Sequence, residues 1–207
     1  MDIKYEIACF DFESAMQAQK VGADRIELCS NKPEGGVTPS YGLIDLSRKN
    51  LHIELNVIIR PRGGDFYYSD SELKIIENDI LICKELGVNG VVFGVLDKDN
   101  TIDKTVNKEL VQIAEPLNTT FHRAFDVVPD AMQALEDVIE CGFTRILTSG
   151  QKETASKGAM LISNLIKSSS GRIIIMPGGG IRKEIIDELI KITKAKEYHS
   201  SSTGIIK

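Results

Sequence analysis

Glu54-Leu-Asn-Val-Ile-Ile59 runs directly into Arg60-Pro-Arg-Gly-Gly-Asp-Phe-Tyr-Tyr-Ser-Asp70. The first six residues are short, apolar and β-branched at their end, which predicts a buried strand. The next eleven carry two arginines, two glycines and two aspartates. Ser69 followed three residues later by Glu72 is a capping box: the hydroxyl accepts a first-turn N–H, and the glutamate reaches back to the Ser69 N–H. The segment therefore reads as strand, charged loop, helix. In a parallel α/β protein this places the loop at the carboxyl end of a strand, where ligands bind. An ion pair of Arg60 or Arg62 with Asp65 that stiffens a turn is the simpler alternative, but one arginine would suffice for it.

The same alternation extends in both directions. Candidate strands are Tyr5–Cys9, Arg25–Cys29, Glu54–Ile59, Gly90–Val95, Thr119–His122, Arg145–Thr148, Ile173–Met176 and Glu197–His199. Between them lie helical patterns at Phe12–Val21, Pro39–Lys49, Asp70–Leu86, Val106–Leu117, Pro129–Cys141, Thr154–Lys167 and Lys183–Lys194. Asp11 and Thr38 are expected N-caps, and Gly22, Gly87 and Gly142 expected helix stops. A weak double-unit repeat is visible at Gly22-Ala-Asp-Arg-Ile, Gly87-Val-Asn-Gly-Val and Gly142-Phe-Thr-Arg-Ile. Eight strands in strict alternation with helices predict one domain over residues 1–207, a (β/α)8 TIM barrel. The barrel is short, with the last helix reduced or missing, since the chain ends soon after His199-Ser-Ser201.

Composition narrows the function. A net charge of −5 supplies no basic excess for nucleic acid. No stretch of about 18 apolar residues spans a membrane, and the N-terminus shows no signal peptide. Cysteines 9, 29, 83 and 141 form no Cys-x-x-Cys, which points to reduced thiols and a cytoplasmic location.

Strand alternation sends Glu6, Ala8, Arg25, Glu27, Cys29, Asn56, Ile58, Arg60, Thr120, His122, Glu197 and His199 into the barrel. Barrel interiors are normally filled by branched apolar side chains. Buried charges must be paired, so Glu6, Arg25 and Glu197 read as an ion cluster in the floor. Cys29, Arg60, His122 and His199 end their strands and are expected at the mouth. There they meet His122-Arg-Ala-Phe-Asp126, Thr148-Ser-Gly150, Pro177-Gly-Gly-Gly180 and Ser200-Ser201. Hydroxyl and glycine loops after the last strands are where barrel enzymes hold phosphate on backbone N–H groups. The loop Lys32–Gly36 after the second strand is a candidate lid. No zinc motif, strand-ending lysine or nucleophile elbow is present.

Taken together, Gly22-Ala-Asp-Arg-Ile-Glu-Leu-Cys29, Gly35-Gly-Val-Thr-Pro-Ser40, Ile59-Arg-Pro-Arg-Gly-Gly-Asp-Phe66, Tyr68-Ser-Asp70, Val92-Phe-Gly-Val-Leu96, Thr120-Phe-His-Arg-Ala-Phe-Asp126, Ile146-Leu-Thr-Ser-Gly150, Met176-Pro-Gly-Gly-Gly180 and His199-Ser-Ser201 resemble the CutC copper-homeostasis family. The resemblance runs in register from Glu6 to Ser201. It implies a cytoplasmic barrel with a role in copper handling, some members binding copper(I) through cysteines. Such members pair a cysteine ending the first strand with one ending the second. The second is Cys29 here, but the first falls on Ala8, and Cys9 is expected to face the helices. A further family cysteine corresponds to Tyr67, and most of the family's C-terminal segment is absent.

Two functions follow. In the first, the protein binds copper(I) with Cys29 and Cys9, or with Cys29 and a histidine. In the second, it is an enzyme acting on a phosphorylated or carboxylated small molecule. Arg60, Arg62, Arg123, Ser149, Gly178, Gly179, Gly180 and Ser200 would then hold the anion, and His122 with Asp65 or Asp126 would move protons. A homodimer is expected, because a missing last helix would leave apolar surface at the strand-eight side.

Overall fold

The computed structural model describes residues 3–201 and 204. Its strands are β1 Lys4–Cys9, β2 Arg25–Leu28, β3 Glu54–Ile58, β4 Gly90–Phe93, β5 Asn118–Phe121, β6 Arg145–Thr148, β7 Ile174–Pro177 and β8 Glu197–Ser200. The helices are α1 Phe12–Lys20, α2 Tyr41–Asn50, α3 Asp70–Glu85, α4 Lys104–Ala114, α5 Ala131–Glu140, α6 Ala159–Ser169 and α7 Lys183–Thr193. Every ladder is parallel, in the order β7-β6-β5-β4-β3-β2-β1-β8. Among the described residues no ladder joins β7 to β8 and no eighth helix follows. The fold is thus the expected short TIM barrel, nearly closed.

Local signals act largely as read. Asp11 accepts from Ser14 N at 2.7 Å, and Ser69 with Glu72 forms both halves of the capping box. Four helix starts are displaced: α2 and α5 begin two residues later than expected, α4 two residues earlier and α6 five later. Thr38 does not cap α2; Ser40 does, accepting from Leu43 N. Thr38 instead exchanges bonds with Arg60, its N–H donating to Arg60 O and its Oγ1 accepting from Arg60 N. This ties the loop after β2 to the end of β3. Helix α6 starts five residues later than expected because residues 154–158 first fold back on Ser149 and Gly150. A Cβ on Gly158 would sit 1.9 Å from Ser149 O, so only glycine permits that approach.

The apolar core lies between sheet and helices, with Ile7, Ile26, Leu55, Val57, Val91 and Ile146 against residues such as Ala15, Ile76, Leu135 and Ile186. The outward-facing residues at the β1–β8 seam are covered: Ile7, Cys9 and Tyr198 are 2 %, 1 % and 0 % exposed. Tyr198 also bonds Thr193 of α7. Among the described residues these positions leave no apolar opening between β1 and β8.

Candidate active site at the barrel mouth

Alternation along β1, β2, β5, β6 and β8 fills the barrel floor with charge. Arg25 binds Glu6 through Nε and Glu197 through Nη2, the latter at 2.6 Å. Arg145 grips both Glu197 oxygens, at 2.6 and 3.2 Å, and reaches Thr120 Oγ1. Arg145 was not among the residues read as inward. Its neighbour Ile146 is fully buried in the outer core, and that alternation is the signal for it. Burial opposes ionisation of Glu6, but Arg25 and His199 outweigh it and hold its carboxyl well below the usual range.

Above the floor opens a cavity of about 300 Å³ lined from β1, β2, β3, β5, β6 and β8 and the loops beyond them. Arg60, His122, Arg123, Gly179, Gly180, Ser200 and Cys29 all line it, as do Glu27, Lys32, Phe66 and His199. Glu27 and His199 form a pair on the wall, with Nε2 3.6 Å from the Glu27 carboxylate and Nδ1 2.8 Å from Glu6. Burial lifts the Glu27 carboxyl to about 7. Burial alone would depress His199, but its bond to Glu6 and the charges of Glu27 and Glu6 raise it. Neither residue stood among the candidate catalytic groups, although both were read as inward.

His122 is the opposite case. Burial and the charge of Arg60 push its imidazole down to about 3, so it is neutral. Ala124 N–H donates to its Nδ1 at 3.4 Å, which leaves the proton on Nε2. The Arg60 guanidinium clamps two loops, Nη1 donating to the carbonyls of Glu34 and Gly36 and Nη2 to that of Gly64. The Lys32–Gly36 loop is thus pinned to the loop after β3.

Other candidates lie outside the cavity lining. Arg62 bonds Glu72 at 2.5 Å, Asp65 at 3.0 Å and Tyr67 O, and lies over the Tyr68 ring. Asp65, largely exposed, is its partner, which is the ion-pair alternative at Arg62. Asp126 accepts from Thr148 Oγ1, Ser149 N, Gln151 N and Arg123 Nε, so it anchors the loop after β6. Ser149 is buried in that anchor and accepts from Arg123 Nη2. Gly178 packs where a Cβ would meet Leu147 at 2.4 Å, a close-approach position. Cys9 belongs to the outer core, and burial pushes its thiol up to about 12.

Three ligand atoms, one each from Glu6, Glu27 and His199, lie within 4.8 Å of one another, a spacing a metal would accept. Glu6 is already engaged by Arg25 and Asn56, and the Arg25 charge repels a cation. The copper(I) donor set is no better: Cys29 is the one thiol on the cavity wall, and burial and Glu27 keep it protonated.

The CutC family model matches residues 3–204. The chain belongs to the CutC family. A CutC family protein of Parabacteroides distasonis is 50 % identical over 202 residues, covering 97 % of this chain and 83 % of the relative. The copper homeostasis protein cutC homolog of Homo sapiens is 46 % identical over 197 residues, covering 95 % and 72 %. A CutC crystal structure from Streptococcus agalactiae superposes with a TM-score of 0.93 at 36 % identity, covering 97 % and 99 %. The CutC barrel of this chain therefore shares its fold with a relative of nearly the same extent.

Proposed function

We propose that the barrel mouth is the active site of an enzyme that moves a proton on a small anionic carbonyl compound. One observation carries this reading: a single cavity is lined by the carboxyl–imidazole pair Glu27 and His199 and by the guanidinium groups of Arg60 and Arg123. Proton transfer needs a group that exchanges a proton near neutral pH, and Glu27, lifted to about 7, meets that need. Glu27 takes the place of Asp65 and Asp126 in this reading, since both are engaged in loop contacts. Arg123, about half exposed at the rim, is oriented by Asp126 at Nε and Ser149 at Nη2, which leaves Nη1 to donate to the anionic group.

Incubating the protein in D2O with small keto acids, hydroxy acids and phosphorylated ketones, and following C–H exchange by NMR, tests it. Exchange that falls about 100-fold or more in Glu27→Gln is expected. Exchange that persists in the variant, or none with any compound, overturns the reading.

Copper(I) binding is the second reading, supported by the relatives' names and by Cys29 on the cavity wall. One protonated thiol fits copper(I) poorly, so no step is routed through it. Affinity for copper(I) is expected to be modest and to depend on Cys29. Tight one-to-one binding by Cys29→Ala under reducing conditions would overturn that. The proposed location is the cytoplasm: all four cysteines are free and buried, as a reducing compartment allows. No helix among the described residues is long and apolar enough to cross a membrane.

A further inference from the structure

Arg60 and His122 are 6 % and 4 % exposed, both line the cavity, and each keeps one buried N–H without a hydrogen-bond acceptor: Arg60 Nε, whose guanidinium has the equally unpartnered Tyr68 hydroxyl as a neighbour, and His122 Nε2. Buried donors are almost always paired, and an orphan is costly enough to call for a reason. Here two orphans belong to residues that line one cavity. Both side chains border the same ring, with the Arg60 Cζ 4.9 Å over the Phe66 centroid and the His122 ring 4.9 Å away edge-on.

Neither donor is free to turn toward another partner. Three carbonyl bonds fix the guanidinium plane, and with it the direction of the Nε–H. The imidazole is held by Ala124 N–H at Nδ1 and by the edge of Phe121. Behind it a Cβ on Gly94 would come within 3.0 Å of Nδ1, so the glycine makes the room the ring occupies. The ring is neutral across the working pH range and stays a donor there. Fixed donors in a dry wall are the arrangement that stabilises an oxygen on which negative charge develops.

We propose that Arg60 Nε–H and His122 Nε2–H form a two-donor oxyanion notch, and that the substrate is an α-hydroxy carbonyl compound whose carbonyl oxygen it receives. The inference rests on the proton-transfer reading above and assigns its electrophilic half. The Glu27 carboxylate removes the proton from the carbon next to the carbonyl. The C–H electron pair forms the new C=C bond, and the carbonyl π pair moves onto oxygen. The resulting enediolate oxygen is held by the two donors. The substrate's hydroxyl proton then passes to that oxygen. As the C=C pair takes the proton back from Glu27 at the former carbonyl carbon, the deprotonated hydroxyl oxygen becomes the new carbonyl. No oxidant or reductant is needed. At about 300 Å³ the cavity stands at the small end of ligand pockets, which suits a compound of a few carbons.

Glycolohydroxamate mimics an enediolate and glycolate does not, so calorimetric titration of both, with EDTA present, tests the notch. Wild type is expected to bind the hydroxamate at least tenfold tighter, with the His122 Nε2 proton moving downfield in the NMR spectrum. His122→Leu is expected to bring the ratio near one. No hydroxamate preference in wild type, an unmoved Nε2 proton, a preference that survives His122→Leu, or binding of neither probe overturns the proposal. The outcome is separable from the exchange assay. Glu27→Gln is expected to abolish exchange while keeping the hydroxamate preference, so either half can fail alone.

Discussion

In the floor of the barrel Arg25 joins Glu6 to Glu197, and Arg145 takes both oxygens of the same glutamate. At the mouth Arg60 and His122 each keep an unpaired N–H, and Glu27 remains 3.6 Å from its nearest imidazole nitrogen. Both regions are buried; the floor is built from strand positions that conventional barrels give to apolar residues, and Arg60 and His122 stand just beyond the ends of β3 and β5. The floor arranges its charges as closed pairs, which is what low dielectric demands. The mouth leaves an arginine and a histidine N–H short of partners, whereas the unpartnered floor atom among the described residues is the neutral Asn56 Oδ1. The two histidines make the same point. His199 sits among carboxylates and is raised, whereas His122 sits beside a guanidinium and is lowered to about 3.

The comparison breaks first at Arg25. Replacing it with alanine leaves Glu6 and Glu197 facing each other without their shared cation, and removing one partner of a buried pair costs about 3–5 kcal/mol. For a domain of marginal stability that is a large share of the total. Urea unfolding of Arg25→Ala measures it. A loss below about 1 kcal/mol would mean that water already reaches the floor and that the two regions do not differ.

The floor and the fold were legible because both follow from period and alternation. Eight short apolar runs separated by amphipathic ones give the barrel, and Ile26 and Leu28 on the helix side send Arg25 and Glu27 inward. The site was legible only by position. Arg60, His122 and Arg123 end strands or begin loops, and they do line one cavity. Which polar residue in a loop is free and which is engaged depends on contacts far apart in the chain. Asp126 looks like a proton carrier beside His122, yet Thr148, Ser149 and Gln151 all donate to it. Glu27 reads only as one more inward charge, yet it lies two residues beyond Arg25 and meets His199 rather than an arginine. Neither fact has a local signature.

A smaller effect sharpens the contrast through pH. Folded Glu27 keeps its proton up to about 7, whereas the unfolded group releases it near the ordinary value of 4.5. Above that value the folded state binds more protons, so Glu27 makes stability fall as pH rises through about 7. His199, also raised, acts in the same sense, losing its contribution as pH climbs through its folded value. Glu6, lowered, loses its contribution only on acidification and stays out of this window. Wild type is therefore expected to lose stability between pH 5 and pH 8, and Glu27→Gln to lose less, by on the order of 1–3 kcal/mol. Denaturant unfolding at the two pH values reads it. Identical pH dependence in the two proteins would show that Glu27 ionises like an exposed carboxylate and that the mouth is as well satisfied as the floor.

The smallest effect is expected at His122, and its smallness is the informative part. His122→Leu removes an orphan donor, which relieves a penalty of about 1–3 kcal/mol. It also removes the Nδ1 acceptor, leaving the Ala124 N–H without the partner it now has at 3.4 Å. That bond is long, so the loss is no larger than the relief, and the edge contact with Phe66 adds only a modest further cost. The two changes nearly cancel, and the net shift in stability is expected to lie within about 1 kcal/mol of zero. Arg25 and His122 are both buried polar side chains of one barrel, so burial alone would give them similar costs. A loss above about 2 kcal/mol in His122→Leu would mean that Nε2 has a structural partner in the folded protein. The imidazole would then belong with the floor, as a group whose removal leaves something buried unpaired.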